Sequence, residues 1–297
     1  MQVFRSWSIG IVLATTIATM LVATATAAPL WEIEGTANRI HLLGSVHFLR
    51  AADGPLPDSV MDLYANADVI VFEIDLSQLT PTDIVATMQR TAIDPRGRSL
   101  EDILGERTYR DAVALATDIG IDMAVLRPYE PWFAALQVTQ IRLAQLGYDG
   151  THGVESQLAQ LTARDGKSTS GLETLQEQFD ALDLLPADVQ RDFLLQTIED
   201  AAEIDADLDQ IVAAWQAGDT RMLEGELLAE LKEFPALYEN ILVRRNRNWT
   251  RQIIEFTQGS KDYLIVVGTL HLVGDDSVIR MLEDAGYQTR QLRSSPH

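Results

Sequence analysis

Apolar positions change their spacing along the chain, and each change marks an element. Residues 31–35 (WEIEG) and 39–46 (RIHLLGSV) read as two short strands around a Thr-Ala-Asn turn, the start of a hairpin. A Gly-Pro-rich loop, AADGPLP, leads into a helix running from Asp58, read as its N-cap, to Ala65. The run DVIVFEIDL that follows is continuously apolar and has the character of a buried strand. This strand–loop–helix–strand order predicts parallel pairing of the strand through Gly44 with the strand that ends at Glu73. Thereafter apolar residues recur at helical spacing over 80–90, 101–119, 131–146 and 153–165, with several more helices from 174 to 256. The segment GKSTSGLE interrupts them and reads as one more short strand. The last unit, DYLIVVGTLHLVGDDSVIRMLEDAGYQTRQL, is strand, helix, glycine and strand.

The two ends of the chain share a phrase. Gly44–Ser45–Val46–His47 and Gly268–Thr269–Leu270–His271 each close an apolar strand, and each is followed by a loop, an Asp-Ser-Val helix start and another strand. The expected fold is therefore α/β (α+β): a central mixed sheet built from two similar βαβ halves, with a large helical insertion between them. The sheet core is expected at about 30–78 and 260–293 and the insertion at about 80–256. Both Gly-x-x-His strands should then lie near each other in one sheet.

The N-terminus changes the picture of where such a domain works. Residues 1–27 have an early Arg5, an apolar run over about 9–22 and two overlapping Ala-Thr-Ala triplets, the layout of a signal peptide cleaved after Ala27. The run is shorter than the roughly 20 apolar residues a spanning helix needs. The expectation is a periplasmic or secreted domain over 28–297 with no stable membrane insertion. The chain has no cysteine, which excludes disulfides, thiolate metal sites and a thiol nucleophile. With 46% hydrophobic residues it is apolar enough to build its stability from a core alone. A net charge of −21 argues against nucleic acid and anionic membrane surfaces, and favours cations or cationic groups as partners.

Candidate chemistry gathers where strands end, because ligands of open α/β sheets bind beyond the carboxyl ends of the strands. His47 and His271 sit there, two of five histidines, each after a glycine that lets the backbone turn or approach closely. Glu73 ends its own strand, and a buried carboxylate is costly unless paired or bound to a cation. Two imidazoles and a carboxylate suit a divalent metal, and equally a metal-free acid/base pair. His41, mid-strand, reads as structural. His152 and Glu155 sit at a glycine-rich helix start, GTHGVESQL, where Glu155 either complements the helix dipole or joins the site. Glu173 follows the short mid-chain strand. Arg244, Arg245, Asn246 and Arg247 form a basic cluster that is either a solvated face or a holder of carboxylates and oxyanions.

Five segments in order, HLLGSVHFL, ADVIVFEID, GVESQLAQLTARDGKSTSGLETLQEQFDAL, LVRRNRNWTRQI and YLIVVGTLHLVGDDSVIRMLEDAGY, make the chain resemble the TraB/PrgY/GumN family, which includes the Tiki proteases. Within it the resemblance is to the bacterial exported GumN-like branch. The resemblance implies a catalytic set of His47, His271, Glu73, Arg245 and Asn246, with His47, His271 and Glu73 as metal ligands. Glu173, Arg244 and Glu155 then fall on the substrate side. It implies a metalloprotease or peptidase using manganese, cobalt or zinc on a peptide or protein substrate. Two alternatives stay open: a metal-free esterase-like hydrolase with a His/Glu pair, and a non-enzymatic envelope protein binding peptide or haem, for which His152 or Tyr148 would serve as axial ligand.

Overall fold

A computed structural model describes residues 28–229 and 231–292; the signal-peptide reading of residues 1–27 lies outside the described residues. The hairpin forms as the alternation predicts: β1 (Leu30–Glu34) pairs antiparallel with β2 (Ile40–Ser45). β3 (Val69–Phe72) and β5 (Tyr263–Gly268) are the continuously buried strands, while β4 (Ser168–Gly171) and β6 (Gln288–Leu292) are more polar. All six join one mixed sheet in the order β4–β3–β5–β2–β1–β6.

That order corrects one expectation. β2 and β3 are parallel but do not pair, because β5 lies between them and is hydrogen-bonded to both. The helix Asp58–Asn66 carries the chain across the sheet and leaves a strand-wide gap. β5 suits that gap: Leu264, Ile265, Val266 and Val267 are all buried, so neither of its faces tolerates water. The two Gly-x-x-His strands are thus immediate neighbours, with Ser45 opposite Gly268.

The sheet is packed on both faces, and strand parity assigns the residues. Ile70, Phe72, Leu264 and Val266 face a cluster with Val60, Tyr64, Leu158 and Trp215. Val69, Val71, Ile265 and Val267 face another with Trp249, Ile253, Val278 and Leu282. The helices Leu100–Leu104, Glu106–Asp118, Pro131–Gln145 and Ala187–Asp200 enclose a further core around Leu100, Val138 and Leu194. Two local readings shift. Pro57, not Asp58, occupies the N-cap of the first helix. The helix expected over 101–119 is broken at Gly105, whose φ of +80° ends one helix and starts the next.

Candidate functional site

Glu73 follows β3 with the parity of Val69 and Val71, so it leaves the sheet toward the helix Arg244–Phe256. Its Oε1 accepts the Gly268 N–H at 2.7 Å, and its Oε2 accepts Arg245 Nη2 at 2.6 Å and Gln178 Nε2 at 3.3 Å. Gly268 explains why the second motif begins with glycine. A Cβ there would lie 3.3 Å from Glu73 Oε1, 3.6 Å from His47 Nε2 and 3.7 Å from His271 Cδ2. The carboxylate and both imidazoles therefore surround one point at the end of β5.

Arg245 is the hub. A π-turn over Glu239–Val243 precedes its helix, and Arg245 Nη1 donates to the Ile241 carbonyl at 3.0 Å. The guanidinium lies 4.6 Å from the ring of Trp249 and bonds Glu173 through Nη2 at 2.7 Å and through Nε at 3.1 Å. Glu173 is held in place by its own backbone, since its N–H donates to the Glu73 carbonyl at 2.9 Å. One guanidinium thus pairs with two carboxylates whose side chains are 8% and 7% exposed. Burial pushes Glu73 up, but Arg245 and the surrounding donors outweigh it and hold the carboxyl at about 2. On Glu173 burial prevails over the same arginine and raises its pKa.

The two histidines meet different fates. His271 is buried, 4.4 Å between centroids from the Trp249 ring. Asn246 Nδ2 donates to the Asp276 carbonyl at 2.7 Å, which turns Asn246 Oδ1 toward His271 Nδ1 at 2.6 Å. The proton therefore sits on Nδ1, and Nε2 accepts Arg245 Nη1 at 3.2 Å. Burial, reinforced by Arg245, pushes this imidazole down to about 3, so it is neutral. Both of its ring nitrogens are engaged by protein groups, and it is not one of the three residues whose donor atoms converge.

His47 is open, with 60% of its side chain exposed and Nδ1 3.1 Å from Glu155 Oε1. Ser45 Oγ donates to the same Glu155 oxygen. Glu155 raises the His47 pKa to about 9, against the opposing effect of desolvation. The other carboxylate oxygen, Glu155 Oε2, is buried without a hydrogen-bond partner. Gly153 makes this arrangement fit: a Cβ there would lie 2.1 Å from the His47 carbonyl oxygen, and the next residue, Val154, donates its N–H to the Val46 carbonyl at 3.0 Å. The GTHG stretch is thus the seat on which the helix Val154–Asp165 docks against the first motif.

His47, Glu73 and Glu155 each offer one donor atom, all within 4.8 Å of one another. One imidazole and two carboxylates match the donor chemistry of a divalent cation, and the orphaned Glu155 Oε2 is a buried acceptor in want of one. Glu155, left open between a helix-dipole role and a place in the site and set on the substrate side by the resemblance, is one of these three. Arg245, Asn246 and Glu173 surround them, whereas Arg244 is exposed on the neighbouring cleft. Tyr148 does not fit the role of haem ligand, because its hydroxyl donates to Asp209 at 2.9 Å and Arg50 covers its ring. His152 lies outside the group of three and gives its carbonyl to Gln157. Sequence reasoning did not single out Ser45 or Gln178; Ser45, inside the first motif, was the more visible of the two.

A mixed α/β sheet with a charged, partly buried site at the carboxyl ends of three adjacent parallel strands is the class these features define. Over residues 29–291 the chain matches the TraB/PrgY/gumN family, and it belongs to that family. It is similar to the uncharacterized protein YbaP of Escherichia coli (strain K12), with 25% identity over 255 residues covering 86% of this chain and 92% of that protein. The corresponding YbaP of Shigella flexneri is 24% identical over 242 residues, 82% of this chain and 87% of that protein. No solved structure gives a significant match. Among the described residues no helix is long and apolar enough to cross a membrane.

Proposed function

We propose that the chain is an exported, metal-dependent hydrolase acting on peptide bonds. The observation that carries this reading is the convergence of His47, Glu73 and Glu155 donor atoms within 4.8 Å, with one Glu155 oxygen buried and unsatisfied. These three residues would hold a divalent manganese, cobalt or zinc ion, which when bound lowers the pKa of water and polarises a substrate carbonyl. The remaining residues prepare the ground. Arg245 keeps Glu73 ionised, Ser45 orients Glu155, and Asn246 locks His271 as a neutral ring beside the exposed His47. Export rests on the leader reading of residues 1–27 and places the activity in the periplasm or the medium.

The test is metal analysis of tag-free protein, followed by a peptidase assay with manganese, cobalt or zinc. His47→Ala is expected to abolish activity and stoichiometric metal, while His41→Ala retains both. Full activity in both His47→Ala and Glu73→Gln would sink the proposal. A second reading has its own observation: the 3.1 Å His47–Glu155 contact is already an acid/base dyad of the kind a metal-free hydrolase uses. Activity that survives exhaustive chelation selects it over the first.

A further inference from the structure

The site opens on one side into a cleft of 410 Å³ between the helices Leu175–Asp183 and Arg244–Phe256. Glu173 and Arg245 line it, so the cleft and the Glu73 centre share a wall. Its two long walls carry opposite charge, Glu177 and Asp180 on the first helix and Arg244 and Arg251 on the second. The acidic wall is partly committed: Glu177 Oε2 closes the cap at Thr174, and Asp180 Oδ1 accepts from Gln176. The basic wall is not. Among the described residues the Arg244 side chain has no hydrogen bond or ion pair, and the Arg251 side chain reaches only the neutral Asn248 amide oxygen. Arg245 already pairs with Glu73 and Glu173, which leaves Arg244 and Arg251 as the cations of the cleft without an ion pair.

The two arginines stand seven residues apart, two helical turns or roughly 10 Å, on one face of one helix. Guanidinium groups so placed suit planar, bidentate contact with a carboxylate. Leu184, 66% exposed on the rim, offers an apolar surface beside them.

We infer that this cleft binds the carboxylate of a short peptide, with an adjoining apolar side chain against Leu184, and so selects substrates bearing a free carboxylate near the bond to be cleaved. The role as a substrate subsite rests on the hydrolase reading; the binding of the carboxylate does not.

The test uses a matched pair of probes, N-acetyl-leucine and N-acetyl-leucinamide, titrated into the purified chain at low salt and followed by NMR, with peptide turnover assayed in parallel. The acid is expected to bind about tenfold more tightly than the amide, the size of one charge-assisted hydrogen bond. The double variant Arg244→Gln/Arg251→Gln is expected to erase that preference. Arg247→Gln, which removes an exposed cation paired with Glu239, is expected to keep it. Equal binding of the two probes, a preference unchanged in the double variant, or an equal loss in Arg247→Gln each overturns the proposal. A preference that persists in protein showing no peptidase activity upholds the carboxylate site and removes the hydrolase reading instead.

Discussion

The two Gly-x-x-His segments start from the same four-residue pattern on adjacent strands and end in opposite states. His47 is open to solvent and held in its charged form by Glu155. His271 is buried, uncharged, and clamped between Asn246 and Arg245. The motif itself does not create the difference. The helical insertion does, by delivering a carboxylate to one ring through the helix Val154–Asp165 and an amide and a guanidinium to the other through the helix Arg244–Phe256. A repeated motif thus marks a place at the sheet edge, and the partners brought to that place assign its chemistry.

The comparison breaks most severely at Arg245, which both sides share. Arg245→Ala leaves Glu73 and Glu173 buried without a counter-charge and is expected to cost about 3–5 kcal/mol in denaturant unfolding. A loss below about 1 kcal/mol would mean that the two acids relax into water, and that the hub is not what orders the site. Next is Gly153→Ala, where the new methyl meets backbone at the His47 carbonyl. Forcing the helix away is expected to cost about 1–3 kcal/mol and to separate Glu155 from His47, seen as the loss of the raised His47 titration.

The two rings themselves give the sharpest contrast. Asn246→Ala removes the partner of a buried imidazole N–H and is expected to cost about 1–3 kcal/mol. His47→Ala, at an exposed position, is expected to cost less stability than Asn246→Ala while removing function. Equal costs at the two positions would erase the distinction drawn here.

The last contrast is electrostatic and has opposite sign at the two sites. Glu155 lifts His47 to about 9, above the ordinary imidazole value of 6.5, so metal-free protein is expected to titrate there. Its favourable pairing is therefore complete below 6.5 and is lost as the pH rises through about 9. His271 is held down at about 3, so the unfolded chain takes up a proton first and stability falls as the pH drops below 6.5 toward 3. Imidazole NMR shifts across this range should show one ring titrating on the alkaline side and the other silent until strong acid.

Much of this was visible in the residues alone. Period-two and continuous apolar runs, helical spacing and a doubled phrase are local properties, so they announced a mixed sheet, a helical insertion and His47, Glu73 and His271 at strand ends. Glu155 was ambiguous in the sequence because an acid in the first turn of a helix already has a sufficient reason to be there. Its membership in the central group depends on Gly153 letting that helix press against the His47 backbone, a contact across more than one hundred residues of chain.

Strand order was hidden for the same kind of reason. A crossover helix says that two strands run parallel but not whether a third lies between them, and β5 entered that gap because both of its faces had to be buried. Residue type and spacing settled which groups were available for chemistry. Packing between segments distant in the chain settled which of them became charged, which neutral, and which came within reach of a common ion, because charge state depends on burial and neighbours that no local pattern contains.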